Sequence, residues 1–104
     1  MKQIKVKGVN FGNWLVLEKW MSPALFEGTD AEDEYNLAYQ LPREVYQARI
    51  QIHRSEYITE RDFVTVKAMG MEAVRIPVPY FVFGDREPFI GCVKELDRAF
   101  AWAQ

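Results

Sequence analysis

Side chains able to do chemistry are few in this sequence, and most of them fall in two stretches. Cys92 is the sole cysteine and His53 the sole histidine. One Cys with one His cannot supply the four N/S ligands of a structural zinc site, and a single Cys closes no internal disulfide. Cys92 opens a helical pattern, where a thiol pKa can fall, but nothing nearby in the sequence offers it a base, so it reads as inert. Neither a metal nor a cofactor is expected. What remains is Glu18, two positions before Trp20, and Arg75, held between Val74 and Ile76 and followed by Tyr80. A guanidinium in a β-rich run needs a polar partner to offset its desolvation, so Arg75 is read either as the partner of a structural acid or as a site residue. Glu18 taken alone is an exposed loop acid. Trp14 is expected in the core, and Trp20 divides between core and ligand platform. Asn10 suits a turn, because Asn tolerates left-handed backbone.

The elements that must position these residues follow from periodicity. Ile4 to Val9 alternates apolar and polar residues and predicts a strand leading into the turn Asn10-Phe11-Gly12-Asn13. Trp14 to Phe26 is aromatic, lacks a clean period and is broken at Ser22-Pro23, which predicts an irregular loop with one helical turn. Acids from Asp30 to Glu34 precede Tyr35, Leu37, Ala38 and Tyr39, the pattern of a short helix that Pro42 interrupts. Pro42 then suits the first turn of a second helix to about Ser55, with Val45, Ala48, Arg49 and Ile52 on one face. Thr59 and Asp62 resemble the cap of a third helix bearing Phe63, Val66 and Met69 and ended by Gly70. A strand is expected at 72–76, a proline-rich loop at 77–88, and a last helix over 91–104 with Val93, Leu96, Phe100 and Ala103 on one face.

Composition narrows the class. The 104 residues carry 49% apolar and 14% aromatic side chains, enough to fill one core and to argue against disorder. Thirteen basic and fifteen acidic residues, net −2 and interspersed, indicate neither a nucleic-acid nor a membrane-surface partner. No apolar run approaches the roughly 18–20 residues of a membrane span, and Met1 to Lys5 is not followed by the apolar core of a signal peptide. The chain as given therefore reads as unexported and cytoplasmic. Strand, loop, helices, strand, loop, helix is an α/β order, yet two short strands do not make a parallel sheet with both faces covered. The chain is expected to be incomplete.

The block Gly8-Val9-Asn10-Phe11-Gly12-Asn13-Trp14-Leu15-Val16-Leu17-Glu18, with Trp20-Met21-Ser22-Pro23-Ala24-Leu25-Phe26, closely resembles the opening of exo-β-1,3-glucanase-like enzymes of glycoside hydrolase family five. A second block, His53 with Tyr57 to Phe63 and then Met69 to Phe81, is similar to the family's next signature, in the same order and at compatible spacing. The family usually has Gly where this chain has Asn13 and where it has Pro79. The resemblance implies the N-terminal part of a (β/α)8 TIM barrel, with residues 1–104 forming its first two βα units and the site at the C-terminal strand ends.

It also implies a β-linked oligosaccharide or glucoside as substrate. Pyranoses are held by carboxylates, guanidinium groups and amides on their hydroxyls and by aromatic rings on their C–H faces. Glu18, Arg75, Tyr80, Trp20 and Asn10 are the substrate-binding candidates. In the family the acid equivalent to Glu18 binds hydroxyls of the terminal sugar, and the Arg equivalent to Arg75 lies beneath the site and helps orient the nucleophile. His53 matches a structural family position. Retaining hydrolysis needs two carboxyl groups about 5–5.5 Å apart. The family takes them from its fourth and seventh strands, one within Asn-Glu-Pro, which does not occur here. A barrel needs about 250 residues, so no catalytic residue is expected before residue 104, and the chain alone is expected to be inactive. A β-1,4-glucanase or mannanase of the same family, and a noncatalytic sugar-binding or interaction module, are the alternatives. Exposed strand edges would favour assembly, which makes the rest of the barrel on another chain a candidate partner. Many relatives in the family are secreted, so an extracellular location stays open for the parent protein.

Overall fold

A computed structural model describes residues 7–104. Its sheet has two parallel strands, β1 (Gly8–Asn10) and β2 (Ala73–Arg75), in the register Gly8 to Ala73, Val9 to Val74 and Asn10 to Arg75. The Glu72 N–H donates to the Lys7 carbonyl at 2.7 Å and the Phe11 N–H to the Arg75 carbonyl at 2.8 Å, extending the ladder at both ends. A 3-10 turn at Pro23–Phe26 and the helices α1 (Glu34–Gln40), α2 (Arg43–Glu56) and α3 (Glu60–Ala68) lie between the strands. Helix α4 (Val93–Trp102) follows the second loop. The sequence-derived strand at Ile4 to Val9 is displaced: pairing covers Gly8–Asn10, while Ile4 and Val6 lie outside the described residues. No helix among the described residues is long and apolar enough to cross a membrane.

Local chemistry explains the helix boundaries. Asp33 caps α1 by accepting the Asn36 N–H at 2.9 Å. Pro42 stands just before α2 instead of in its first turn. At α3 the shorter Asp62 does reach back, its Oδ2 accepting the Thr59 N–H at 2.7 Å. Gly70, at φ +85°, takes the left-handed position that releases the chain toward β2.

Two hydrophobic clusters make the core. One joins Leu17, Phe26, Leu37, Tyr46, Ile50, Phe81 and Phe89; the other joins Phe11, Trp14, Leu15, Ile58, Phe63, Cys92 and Ala99. The buried face of α2 is therefore Tyr46, Ile50, His53 and Arg54, not the expected Val45, Ala48, Arg49 and Ile52; Val45 and Ile52 are exposed. Counting apolar residues missed this face because half of it is polar. Helix α4 departs similarly: Ala99 is buried and Leu96 partly so, while Val93, Phe100 and Ala103 face outward. On α3, Phe63 is buried and Val66 half-buried, but Met69 is exposed. Beside these residues an open groove of about 650 Å³ runs between α3, β2 and α4, lined by Phe63, Val66, Val74 and Trp102 together with Lys67 and Glu72.

Donors on α2 satisfy carbonyls of the irregular segments. Arg49 Nη1 donates to the Leu25 and Glu27 carbonyls at 3.0 and 2.8 Å. Arg54 Nη1 and Nη2 donate to the Gly91 and Ile90 carbonyls at 2.7 and 2.8 Å, and the Arg54 carbonyl accepts the Trp14 indole N–H at 2.8 Å. Unpaired carbonyls in these packed loops would carry a desolvation cost, so the helix supplies what a sheet otherwise would.

Glu34 is buried at the base of α1. Its Oε2 accepts the Tyr46 hydroxyl hydrogen, and its Oε1 has no partner among the described residues. Burial raises the Glu34 pKa, against the smaller opposing effects of the Tyr46 hydrogen bond and the Arg54 charge. A carboxyl whose folded pKa lies above its unfolded value costs nothing while both states are protonated. The cost grows as pH rises from the unfolded carboxylate range, about 4.3, through the folded value. Glu34→Gln keeps an acceptor for Tyr46 and removes the titration. Thermal unfolding against pH should show a higher Tm than wild type at about pH 8 and a gap that closes toward about pH 4; a gap that widens on acidification would contradict this reading.

Candidate functional site

The site starts at the ends of the paired strands. Asn10 and Arg75 are register partners at the C-terminal ends of β1 and β2, and Arg75 Nη1 donates to Asn10 Oδ1 at 3.1 Å. Arg75 is exposed, so the expectation of a desolvated guanidinium in a buried strand does not hold; an amide, and no acid among the described residues, is what it meets. β2 alternates exposed, half-buried and exposed, which leaves the Arg75 head in contact with water.

Beyond β1 the chain turns back on itself. Gly12 leaves room that a larger residue would fill: a Cβ there would lie 2.5 Å from Glu18 Oε2 and 3.1 Å from Asn10 Nδ2. Glu18 Oε1 accepts the Trp20 indole N–H at 3.2 Å, and Trp20 is 78% exposed. Asn10, Gly12, Glu18 and Trp20 line an open cleft of about 430 Å³ together with Tyr57 and Ile58. The ring of Trp20 is exposed beside this cleft, whereas Trp14, fully buried with its N–H on the Arg54 carbonyl, is core.

Four of the five candidate residues thus form one run, Arg75 to Asn10 and Glu18 to Trp20, joined across Gly12. Arg75 is not in the cleft lining itself, and neither is Tyr80. Tyr80 is 63% exposed and packs edge-on to Phe81 and Phe89, with centroids 5.2 and 5.9 Å away. Cys92 is buried, and burial pushes its thiol up to about 11, which removes it as a nucleophile at neutral pH.

Sequence reasoning passed over Asn13. It is fully buried at φ +63°, in the left-handed region that Gly and Asn share. Its Oδ1 accepts the Glu18 N–H and its Nδ2 donates to Ser22 Oγ, both at 2.8 Å. The buried His53 holds the Asn13 carbonyl through Nε2, which must be the protonated ring nitrogen because a carbonyl only accepts. Burial lowers the His53 pKa. The signal was present in the sequence as an Asn at a position where the resembling family has Gly.

No family model matches the sequence. Curated glucan 1,3-beta-glucosidases do. The chain is 45% identical over 105 residues to the probable glucan 1,3-beta-glucosidase A of Emericella nidulans, covering 96% of this chain and 26% of that protein. It is 40% identical over 111 residues to the glucan 1,3-beta-glucosidase of Candida oleophila, again 96% of this chain and 26% of that one. The chain therefore spans about a quarter of the length of the curated relatives it matches. Among solved structures, AoRut superposes with a TM-score of 0.80 at 27% identity, covering 97% of this chain and 29% of that one. The rutinosidase from Aspergillus niger gives 0.83 at 24% identity, covering 97% and 30%, a likeness of fold alone. The mixed α/β architecture described above is thus shared with part of larger glycosidases.

The geometry makes Gly12 a direct probe of the cleft. Gly12→Ala should displace the Glu18 carboxylate, the mobile end of the clash, and break its bond to the Trp20 indole while leaving the core intact. The expected result is altered Trp20 indole N–H resonance and an unchanged Trp14 one in the NMR spectrum; coincident spectra would show that the two groups are not packed across Gly12.

Proposed function

We propose that these residues are the first two βα units of a (β/α)8 barrel in a retaining hydrolase of β-glucosidic bonds, of the exo-β-1,3-glucanase branch of glycoside hydrolase family five. The observation that carries the reading is the pairing of Asn10 with Arg75 at the C-terminal ends of adjacent parallel strands, with Glu18 and Trp20 on the loop that follows. Enzymes of this barrel build their sites at that end. The match to glucan 1,3-beta-glucosidases over nearly the whole chain supports the substrate class.

In this reading Glu18 binds hydroxyls of the terminal glucosyl unit, Trp20 lies against its C–H face, and Asn10 and Arg75 form the floor of the site. A carboxylate accepts from two sugar hydroxyls with charge-assisted bonds, and an exposed indole offers apolar area at little entropic cost. Tyr80 joins the site from the second loop when the substrate extends toward it. The acid/base and the nucleophile, about 5–5.5 Å apart, come from parts of the barrel that this stretch does not match. The substrate is a β-1,3-glucan or a short β-glucoside, and no nucleic acid or membrane partner is involved.

Kinetics of the complete polypeptide that carries this sequence test the assignment. Glu18→Ala should raise KM for an aryl β-glucoside at least about tenfold, the loss expected of a charge-assisted hydrogen bond. Arg75→Ala should lower kcat as well, because it orients groups at the reacting centre. Unchanged constants in both variants would remove these residues from the site, and activity on β-mannan in place of β-1,3-glucan would move the protein to the other branch.

A further inference from the structure

We infer that Asn13 is the positioning residue of the cleft, the side chain that fixes Glu18 and Trp20 for sugar binding; this rests on the glycosidase reading above. Its carboxamide uses both ends. Oδ1 takes the Glu18 N–H and Nδ2 gives to Ser22 Oγ, each at 2.8 Å, so one buried group ties together the start and finish of the segment Glu18–Ser22. The segment is itself a tight turn: the Met21 and Ser22 N–H groups both donate to the Glu18 carbonyl, at 2.9 and 3.3 Å. Trp20 sits at its tip with its indole on the Glu18 carboxylate. Fixing the two ends therefore fixes the two side chains that face the cleft.

Asn13 is in turn immobilised. His53 on α2 holds its carbonyl, and the next residue, Trp14, is pinned to the Arg54 carbonyl. Only Gly, Asn and a few polar residues take φ near +60° without strain. Gly would meet the backbone demand and leave the Glu18 N–H and the Ser22 hydroxyl without this partner. Asn meets the backbone demand and supplies both bonds, which converts a turn residue into a clamp. Its role is indirect, since the Asn13 side chain is fully buried and presents nothing to a ligand.

The test uses Asn13→Gly, which keeps the turn and deletes both bonds, and Asn13→Asp, which keeps the acceptor for the Glu18 N–H. Hydrogen exchange and kinetics on an aryl β-glucoside are measured in the complete polypeptide. Asn13→Gly should speed exchange of the Glu18 amide at least about fivefold, the equivalent of one lost hydrogen bond, with the Trp14 indole N–H still protected. It should lower kcat/KM by a similar factor, mostly through KM, and Asn13→Asp should restore both. In a Glu18→Ala background the same change should have no further effect, which a merely structural role would not produce. Unchanged Glu18 exchange, or an additive loss in that background, would overturn the inference. If Asn13→Gly fails to fold, seen as loss of Trp14 protection, Ser22→Ala decides by the same amide: faster exchange supports the clamp and unchanged exchange refutes it. If the wild-type protein turns over no β-glucoside, the glycosidase reading fails, and Glu18 exchange alone still decides the clamp.

Discussion

The structure depends on hydrogen-bond donors from one helix meeting carbonyls of segments that have no ladder of their own. A two-stranded sheet leaves most of the chain between and after its strands without regular partners, and buried carbonyls tolerate that poorly. Helix α2 answers with Arg49, His53 and Arg54, which reach Leu25 and Glu27, Asn13, and Ile90 and Gly91 respectively. The first and second loops are thereby referred to the same rigid element. Burying the Arg54 guanidinium is costly, and its two carbonyl bonds at 2.7 and 2.8 Å are the compensation.

From that frame the cleft follows in steps. The parallel register sets Asn10 opposite Arg75, the absence of a side chain at Gly12 lets Glu18 approach Asn10, and the Asn13 clamp holds the Glu18–Ser22 turn that carries Trp20. Each step is local, and each relies on a group anchored to the core behind it. Asn10, Trp20 and Arg75 are exposed and Glu18 is partly so, while Trp14, His53 and Asn13 are buried behind them.

Much of this was legible in the residues. The acids ahead of α1, the cap at Thr59, the stop at Gly70 and the β-rich run around Val74 are short-range signals, and short-range hydrogen bonding decided them. The faces of α2 and α4 were not legible, because a count of apolar residues cannot see that His53 and Arg54 are needed inside as donors or that Phe100 is left outside. The Arg75 environment was misjudged for a related reason: Val74 and Ile76 suggested a buried strand, but burial of a strand depends on neighbours that periodicity does not report. Asn10, Glu18 and Trp20 stand out through the first family-like block and Arg75 and Tyr80 through the second, whereas the role of Asn13 needs coordinates, since only geometry shows which atoms its amide reaches.

The most direct measurement is a crystal structure of the complete polypeptide that carries this sequence, with glucose or a short β-glucoside bound. The sugar is predicted to sit in the cleft beside Gly12, with Glu18 within about 2.5–3.0 Å of its hydroxyls and the Trp20 ring against one face. A sugar bound at a site that touches neither Glu18 nor the Asn10–Arg75 pair would contradict the functional reading.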